Sequence, residues 1–123
     1  MFRDSHAFSG FSTNDLAAAG DFYGRVLGLE VREGQGILHL DLAGGGRVIV
    51  YPKPDHQPAS FTILDFPVAD IEAAVDALVA AGVTMERYEG IAQDERGIAT
   101  VYPPPIAWFK DPAGNILAVI QTA

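Results

Sequence analysis

The sequence predicts an α+β fold in which one β-α-β-β-β pattern occurs twice. Residues 11–16 and 66–71 share a phenylalanine, an aspartate and an aliphatic residue at a single offset of 55 positions. An amphipathic helical segment that ends at a glycine follows each of them. Strand-like segments then follow each helix and are separated by turns rich in glycine or proline. These three observations together indicate two half-copies of one unit.

The first helix is predicted over residues 14–27, where apolar side chains recur at helical spacing on one face. Thr13 or Asn14 can accept hydrogen bonds from the first free amides as the N-cap, and Gly28 suits the position after the last turn. The strands predicted after this helix cover residues 29–33, 37–42 and 47–51, with Gly44-Gly45-Gly46 as the turn before the last one.

The second helix is predicted to begin at Asp70 or Ile71 and to end at residue 81, with Asp70 as its cap and Gly82 after it. The strands predicted after this helix cover residues 83–88, 106–111 and 115–121. Asp111-Pro112-Ala113-Gly114-Asn115 is the expected turn before the last strand.

The length of 123 residues favours one domain over residues 1–123. Its first module is expected over about residues 5–53 and its second over about 59–123, because Pro52, Pro54 and Pro58 mark a connection between them. One half alone would leave a face of its sheet uncovered, so both halves are expected to pack together.

Composition excludes several classes of partner. Sixteen acidic against eight basic residues give a net charge of −8, which disfavours nucleic acid. With no cysteine there is no disulfide and no thiolate metal site. Neither a leader nor a run of apolar residues long enough to span a membrane is present, so a soluble cytoplasmic protein is expected.

Three motifs carry a resemblance to a known family. They are Asp15-Leu16, the run Phe-Tyr-Gly-Arg-Val-Leu-Gly-Leu at residues 22–29, and Trp-Phe-Lys-Asp-Pro-Ala-Gly-Asn at residues 108–115. The chain resembles the vicinal oxygen chelate superfamily, which contains glyoxalase I, bleomycin-resistance proteins and extradiol dioxygenases. The resemblance implies paired βαβββ modules that form a curved mixed sheet with a cup-shaped cavity, usually in a homodimer. It does not by itself imply an activity.

Catalytic members of the superfamily hold a divalent metal through one side chain from each of four strands. The resemblance assigns those positions to Phe8, Val50, Ile63 and Ala118, none of which has a lone pair to offer a metal. We therefore expect no metal and no cofactor, and we expect these four residues to form an apolar wall for a ligand.

Histidines could rebuild a metal site elsewhere. His6 shares the strand face of Phe8, His39 lies on the third predicted strand, and His56 follows the first module. The simpler interpretation is that His6 and His56 are solvated residues near a terminus and in a loop. No serine and histidine can be argued from the sequence to lie close together.

Other side chains are expected to line the cup. His39 would face it if the leucines around it lie under a helix, with a cross-strand hydrogen bond as its alternative role. Asp65 would contact a ligand or else bond to nearby backbone at a strand end. Pairing of Asp111 with Asn115 sets Trp108 opposite Ala118, where the indole would be either a platform for a planar ligand or a core residue.

Three functions remain open. The first is a metal-free protein that sequesters a small organic molecule, such as an antibiotic or a toxic metabolite, with the acidic surface favouring cationic or aromatic ligands. The second is a metal-dependent lyase or dioxygenase of the same superfamily with a displaced metal site. The third is a dimeric domain that binds only a partner protein.

Overall fold

Each half of the chain forms its own mixed sheet and its own helix in the computed structural model, which describes residues 1–122. Unit 1 comprises Met1–Gln57, and unit 2 begins at Pro58. Among the described residues, no helix has the length and hydropathy that a bilayer span requires. The predicted α+β class is confirmed.

Unit 1 has a four-stranded sheet in the order β1-β4-β3-β2, in which β1 and β4 are parallel. Its elements are β1 (Ser9–Thr13), α1 (Leu16–Asp21), β2 (Glu30–Gly34), β3 (Ile37–Asp41) and β4 (Arg47–Pro52). Helix α1 continues into a π-helical turn over Phe22–Val26, so the helical segment ends one residue before the predicted limit.

The cap of α1 differs from the prediction. Asp15, and neither Thr13 nor Asn14, accepts a hydrogen bond from the amide of Ala18 (3.0 Å). Thr13 is buried at the end of β1, and its hydroxyl accepts from the Asp15 amide instead (3.2 Å). The Thr13 hydroxyl therefore holds the backbone of the capping residue Asp15, and the Asp15 carboxylate accepts from the helix amide.

One face of the unit 1 sheet packs against α1. Leu38 and Leu40 of β3 are buried on this face, and Leu38 lies directly below Gly20 of the helix. Val50 is paired with Leu38 in the ladder and is also buried on this face. The opposite face, which we call the open face of unit 1, carries His39 and its ladder partner Ile49.

Unit 2 has a three-stranded sheet in the order β5-β7-β6, in which β5 and β7 are parallel. Its elements are β5 (Thr62–Val68), α2 (Ile71–Ala80), β6 (Ile106–Lys110) and β7 (Ile116–Gln121). Asp70 caps α2 by accepting from the Ala73 amide (3.1 Å), and Gly82 follows the helix with a φ of +93°, as predicted.

The strand predicted over residues 83–88 does not form. Only Met85 pairs with Phe109, as an isolated bridge, and the Glu86 amide donates to the Trp108 carbonyl (2.8 Å). The side chain of Gln93 bonds to the Tyr88 amide (2.8 Å) and the Glu86 carbonyl (3.0 Å). Because a side chain occupies these backbone groups, the segment leaves the ladder at this point.

A β-bulge interrupts β5. Thr62 pairs with Ile116 and Leu64 with Leu117, which leaves Ile63 as the extra residue between them. Phe66 and Val119 then continue in register on the far side of the bulge. The bulge reverses the alternation, so that Thr62, rather than Ile63, lies on the same face as Asp65.

Candidate ligand-binding site

Trp108 lies on the terminal strand β6, on the sheet face of unit 2 opposite to the buried side chains of Phe109 and Leu117. We call this the open face of unit 2. Trp108 of β6 is paired with Ala118 of β7, and Ala118 is paired with Asp65 of β5. These three residues therefore form one row across the sheet, as the predicted hairpin register requires. Their neighbours Phe109 and Leu117 point the other way and are fully buried.

A cavity of about 220 Å³ opens beside Trp108. The indole forms one wall, and the ring of Tyr88 contacts it edge to face at 5.4 Å between centroids. This arrangement is one that aromatic pairs favour, because the positive edge of one ring meets the negative face of the other. The cavity is lined by Ser60, Phe61, Thr62, Tyr88, Ile91, Trp108 and Ile116.

Tyr88 contributes a polar group beside the cavity wall. Its hydroxyl is buried and has no hydrogen-bond partner among residues 1–122. Burial raises the pKa of this hydroxyl, and the nearby Glu86 carboxylate raises it further. The group therefore remains protonated at neutral pH. The sequence prediction missed Tyr88, although an aromatic residue at the end of the predicted strand 83–88 was a signal that could have suggested it.

The charges around the open face of unit 2 are unequal. Lys110, two residues after Trp108 on β6, forms an ion pair with Glu86 at 3.5 Å. Asp65 is exposed, and its carboxylate forms no ion pair with the described residues. The row of Asp65, Ala118 and Trp108 consequently has an uncompensated negative charge at one end and an aromatic surface at the other.

In unit 1, Phe8 lies just before β1 and is 51% exposed, with the Arg47 guanidinium 4.3 Å from its ring centroid. Val50, by contrast, is fully buried on the face covered by α1. The expectation that Val50 faces the same side as Phe8 is wrong, because alternation places Ile49 on the open face instead.

His39 lies on the open face of unit 1, as expected from the burial of Leu38 and Leu40. Its Nδ1 atom is buried and makes no hydrogen bond with any residue in the range 1–122, so the alternative of a cross-strand bond is not realised at this atom. Beside it, Arg32 and Asp41 form a two-bond fork at 2.6 and 3.1 Å.

Comparison with known families identifies the fold. The family described as the Glyoxalase/Bleomycin resistance protein/Dioxygenase superfamily matches residues 6–119. The chain belongs to this superfamily. The resemblance read from the motifs at residues 22–29 and 108–115 is thereby confirmed. A search of curated proteins found no match.

Solved structures agree with this membership of the glyoxalase/bleomycin-resistance superfamily at the level of the fold. A glyoxalase family protein from Bacillus anthracis has a TM-score of 0.70 at 15% identity, covering 94% of this chain and 93% of its own. An integron cassette protein from the Halifax Harbour sewage outfall metagenome has a TM-score of 0.69 at 21% identity, with coverages of 94% and 97%. TnmS3, an antibiotic binding protein from Streptomyces sp. CB03234, has a TM-score of 0.66 at 21% identity, with coverages of 95% and 96%.

The superfamily's catalytic members hold a divalent metal, and the residues of this chain do not fit one. Phe8 and Ala118 are hydrocarbon side chains, and Ile49 takes the place expected for Val50 on the open face of unit 1. The expectation for Ile63 is also wrong, because the bulge puts Thr62 in its place, and Thr62 brings only one neutral hydroxyl. Across residues 1–122, no group of three histidine, cysteine, aspartate or glutamate side chains is arranged to hold a metal. Divalent metals need nitrogen, oxygen or sulfur ligands, so we derive no chemistry through a metal here.

Proposed function

We propose that this protein is a metal-free binding protein, acting in the cytoplasm, which holds a small organic molecule against Trp108 in the cavity of unit 2. The observation that carries this proposal is the pair of Trp108 and Tyr88 forming the wall of a cavity on the open face. A rigid aromatic wall with few polar groups is typical of sites that bind planar ligands.

The volume of the cavity supports a ligand of which only one part enters the cavity. At about 220 Å³ it exceeds the roughly 150 Å³ that accepts benzene, but it is below the roughly 300–1,000 Å³ of drug-sized sites. We therefore propose that the cavity takes an aromatic part of the ligand, while the remainder lies along the row toward Asp65.

Charge supports a cationic ligand. The exposed Asp65 carboxylate lies two strands from Trp108, and the face of an indole attracts cations. The net charge of −8 adds a long-range attraction for positive ligands. TnmS3, which shares the fold, is an antibiotic binding protein. We propose sequestration of a cationic aromatic antibiotic or a toxic metabolite of that type.

The experiment is a thermal-shift screen of cationic aromatic antibiotics, followed by titration of the tryptophan fluorescence. A ligand that binds only the folded state raises the melting temperature, and Trp108 is the single indole of the chain. In thermal-shift titrations, which do not depend on the indole, we expect Trp108→Ala to weaken binding by roughly tenfold or more, since stacking contributes about 0.5–1.5 kcal/mol beyond the buried area.

Tyr102→Ala is the matched control, because Tyr102 is an aromatic residue of unit 2 that is 82% exposed and does not line the cavity. Unchanged indole emission at saturation with a confirmed ligand would contradict the proposed site. Elemental analysis of protein purified without chelator tests the proposal that the protein binds no metal. A stoichiometric divalent metal retained after dialysis would favour the alternative, a metal-dependent lyase or dioxygenase.

We also propose that the protein is a homodimer. Strands β1 and β2 end the sheet of unit 1, and β5 and β6 end the sheet of unit 2. Terminal strands present backbone groups that pair readily with another chain, and native proteins usually cover them. Light scattering at micromolar concentration is expected to give twice the mass of one chain, and the mass of a single chain would refute the dimer.

A further inference from the structure

A serine and a histidine lie within hydrogen-bonding distance in unit 1. The Oγ atom of Ser12 is 2.6 Å from Nδ1 of His56, and both residues are partly buried. The two residues are 44 positions apart, so folding brings them together. In the imidazole tautomer protonated at Nε2, Nδ1 accepts the serine proton. This is the geometry in which a histidine activates a hydroxyl as a nucleophile.

Two hydrogen bonds fix the histidine beside β1. The Lys53 amide donates to the carbonyl of Thr13, the residue after Ser12 (2.9 Å). The His56 amide donates to the Lys53 carbonyl (3.0 Å), which closes a turn directly after β4. Prolines at positions 52 and 54 restrict the backbone on both sides of Lys53. The base is therefore held on a short, anchored turn.

We propose that Ser12 is a nucleophile with His56 as its general base, and that this dyad cleaves activated aryl esters. The dyad is independent of the proposed ligand cavity, since both of its residues belong to unit 1. The surroundings favour an aryl ester. Tyr51, the ladder partner of Ser12, is 39% exposed and offers an aromatic surface beside the dyad.

The reaction proceeds in two steps. Ser12 Oγ attacks the acyl carbon while its proton passes to His56 Nδ1. The bond from the acyl carbon to the aryl oxygen then breaks, and the leaving phenolate takes the proton from Nδ1. In the second step, water attacks the acyl-serine and gives its proton to Nδ1. The carboxylic acid leaves as the proton returns to Ser12 Oγ.

Donors for the negative oxygen that forms at the acyl carbon are proposed to be backbone amides of β1. Strand β1 is the terminal strand of its sheet, with β4 on one side only. Alternate backbone amides of such a strand point away from its ladder partner. Backbone amides directed at the developing oxyanion are the usual stabilising groups in acyl transfer.

The test uses p-nitrophenyl acetate with the full chain, followed by peptide mapping of the acetyl group by mass spectrometry. We expect acetyl on Ser12, a burst of p-nitrophenolate, and slower steady release. His56→Asn is expected to lower the acylation rate by roughly 10²-fold or more, the usual contribution of a general base. Ser9→Ala and His6→Asn are matched controls and should keep the rate of the unaltered chain.

Mapping of the unaltered chain decides the proposal even if a variant fails to fold. Acetylation at lysines or at the N-terminus, with none at Ser12, would overturn it. Acylation of Ser12 at the original rate in a folded His56→Asn protein, checked by circular dichroism, would overturn the assignment of His56 as the base.

Discussion

Unit 1 and unit 2 start from the same β-α-β-β-β pattern but connect their strands differently after the helix. In unit 1, β2 turns directly into β3 through Gln35 and Gly36, which have positive φ values of 57° and 79°. In unit 2, the chain leaves the ladder after Met85 and pairs with β6 again only at Ala99. The segment between these two points carries Tyr88 and Ile91 to the cavity.

The difference shows that the candidate site lies where the repeat is broken. The regular hairpin of unit 1 satisfies its backbone groups through the ladder. The irregular segment of unit 2 satisfies many of them through side chains. Arg87, for example, donates to the carbonyls of Asp94 and Glu95 at 2.8 and 2.7 Å. Side-chain support allows backbone to leave a sheet without losing its hydrogen bonds.

The hairpin turns before β4 and β7 also differ between the two units in how they are held. In unit 1 the Leu42 amide donates to Gly46 (2.8 Å), and in unit 2 the Asp111 amide donates to Asn115 (3.0 Å). The buried Asp111 carboxylate also accepts from the Ala113 amide and from the Asn115 amide and side chain, each at 2.9 Å. The same turn therefore relies on backbone and glycine in one unit and on a carboxylate in the other.

The largest effect is expected from Asp111→Ala. The substitution leaves buried donors without an acceptor and should lower the free energy of unfolding by about 3 kcal/mol. Leu42→Ala, at the equivalent turn position, removes only partly buried hydrocarbon and should cost about 1 kcal/mol or less. Urea denaturation of both variants measures the difference. Equal costs would show that the carboxylate adds nothing to the turn of unit 2.

A smaller effect is expected from Gln93→Ala. The Gln93 side chain accepts from the Tyr88 amide and donates to the carbonyls of Glu86 and Gly97 (3.0 and 2.7 Å). Its removal should cost about 1–3 kcal/mol and increase hydrogen exchange at the Tyr88 amide. Gln57→Ala, at an exposed position of unit 1, is the control. Unchanged protection at Tyr88 would contradict the role of Gln93 in holding the cavity wall.

The smallest effect concerns acid stability in unit 1. The Arg32 guanidinium, hydrogen-bonded to Asp41, lowers the pKa of that carboxyl below its ordinary value of 3.8. The ion pair therefore stabilises the folded state fully above pH 3.8, and this stabilisation is lost as the pH falls through the lowered pKa of Asp41. Asp41→Asn should reduce the loss of stability on acidification from neutral pH to about pH 3, as measured by urea midpoints.

The effect in Asp41→Asn should be modest, because the ion pair is exposed and water screens it. Asp4→Asn, at an exposed position near the N-terminus, is the control and should retain the acid sensitivity of the unaltered chain. Identical pH profiles for the Asp41→Asn and unaltered proteins would show that the Arg32–Asp41 pair does not contribute to the acid sensitivity of unit 1.

Elements with strong local signals were predicted well from the sequence. Helix α2 has a capping aspartate, a regular apolar stripe and a terminal glycine, and it lies within one residue of its predicted range. The buried face of β3 followed from the alternation of Leu38 and Leu40. Local patterns suffice where one face of an element is covered by the core.

The error at Val50 has a definite cause. The prediction counted four residues from Gly46, by analogy with Gly114 and Ala118. In the structure, Gly45 donates to the Leu42 carbonyl just as Gly114 donates to Asp111, so Gly45 is the true counterpart of Gly114. Counting from Gly45 leads to Ile49, on the open face. Three consecutive glycines offered no local signal to choose between these registers.

The segment that bears Tyr88 could not be placed from sequence. Its course depends on Gln93 and on Asp94, which accepts from the Ile98 amide (2.8 Å). These contacts form between residues that lack the periodic spacing of apolar side chains from which helices and strands are predicted. The bulge at Ile63 was missed for a similar reason, because one extra residue leaves no trace in the composition of a strand.

The bulge at Ile63 separates residues that line the cavity from strand residues that do not. Phe61 and Thr62, before it, line the cavity, while Phe66 and Val68, after it, are partly buried strand residues that do not. The bulge accommodates one extra residue, so the residues on its two sides present opposite parities to the same face of the sheet. Thr62 therefore faces the cavity together with its ladder partner Ile116, while Asp65 continues the same face beyond the bulge through its pairing with Ala118.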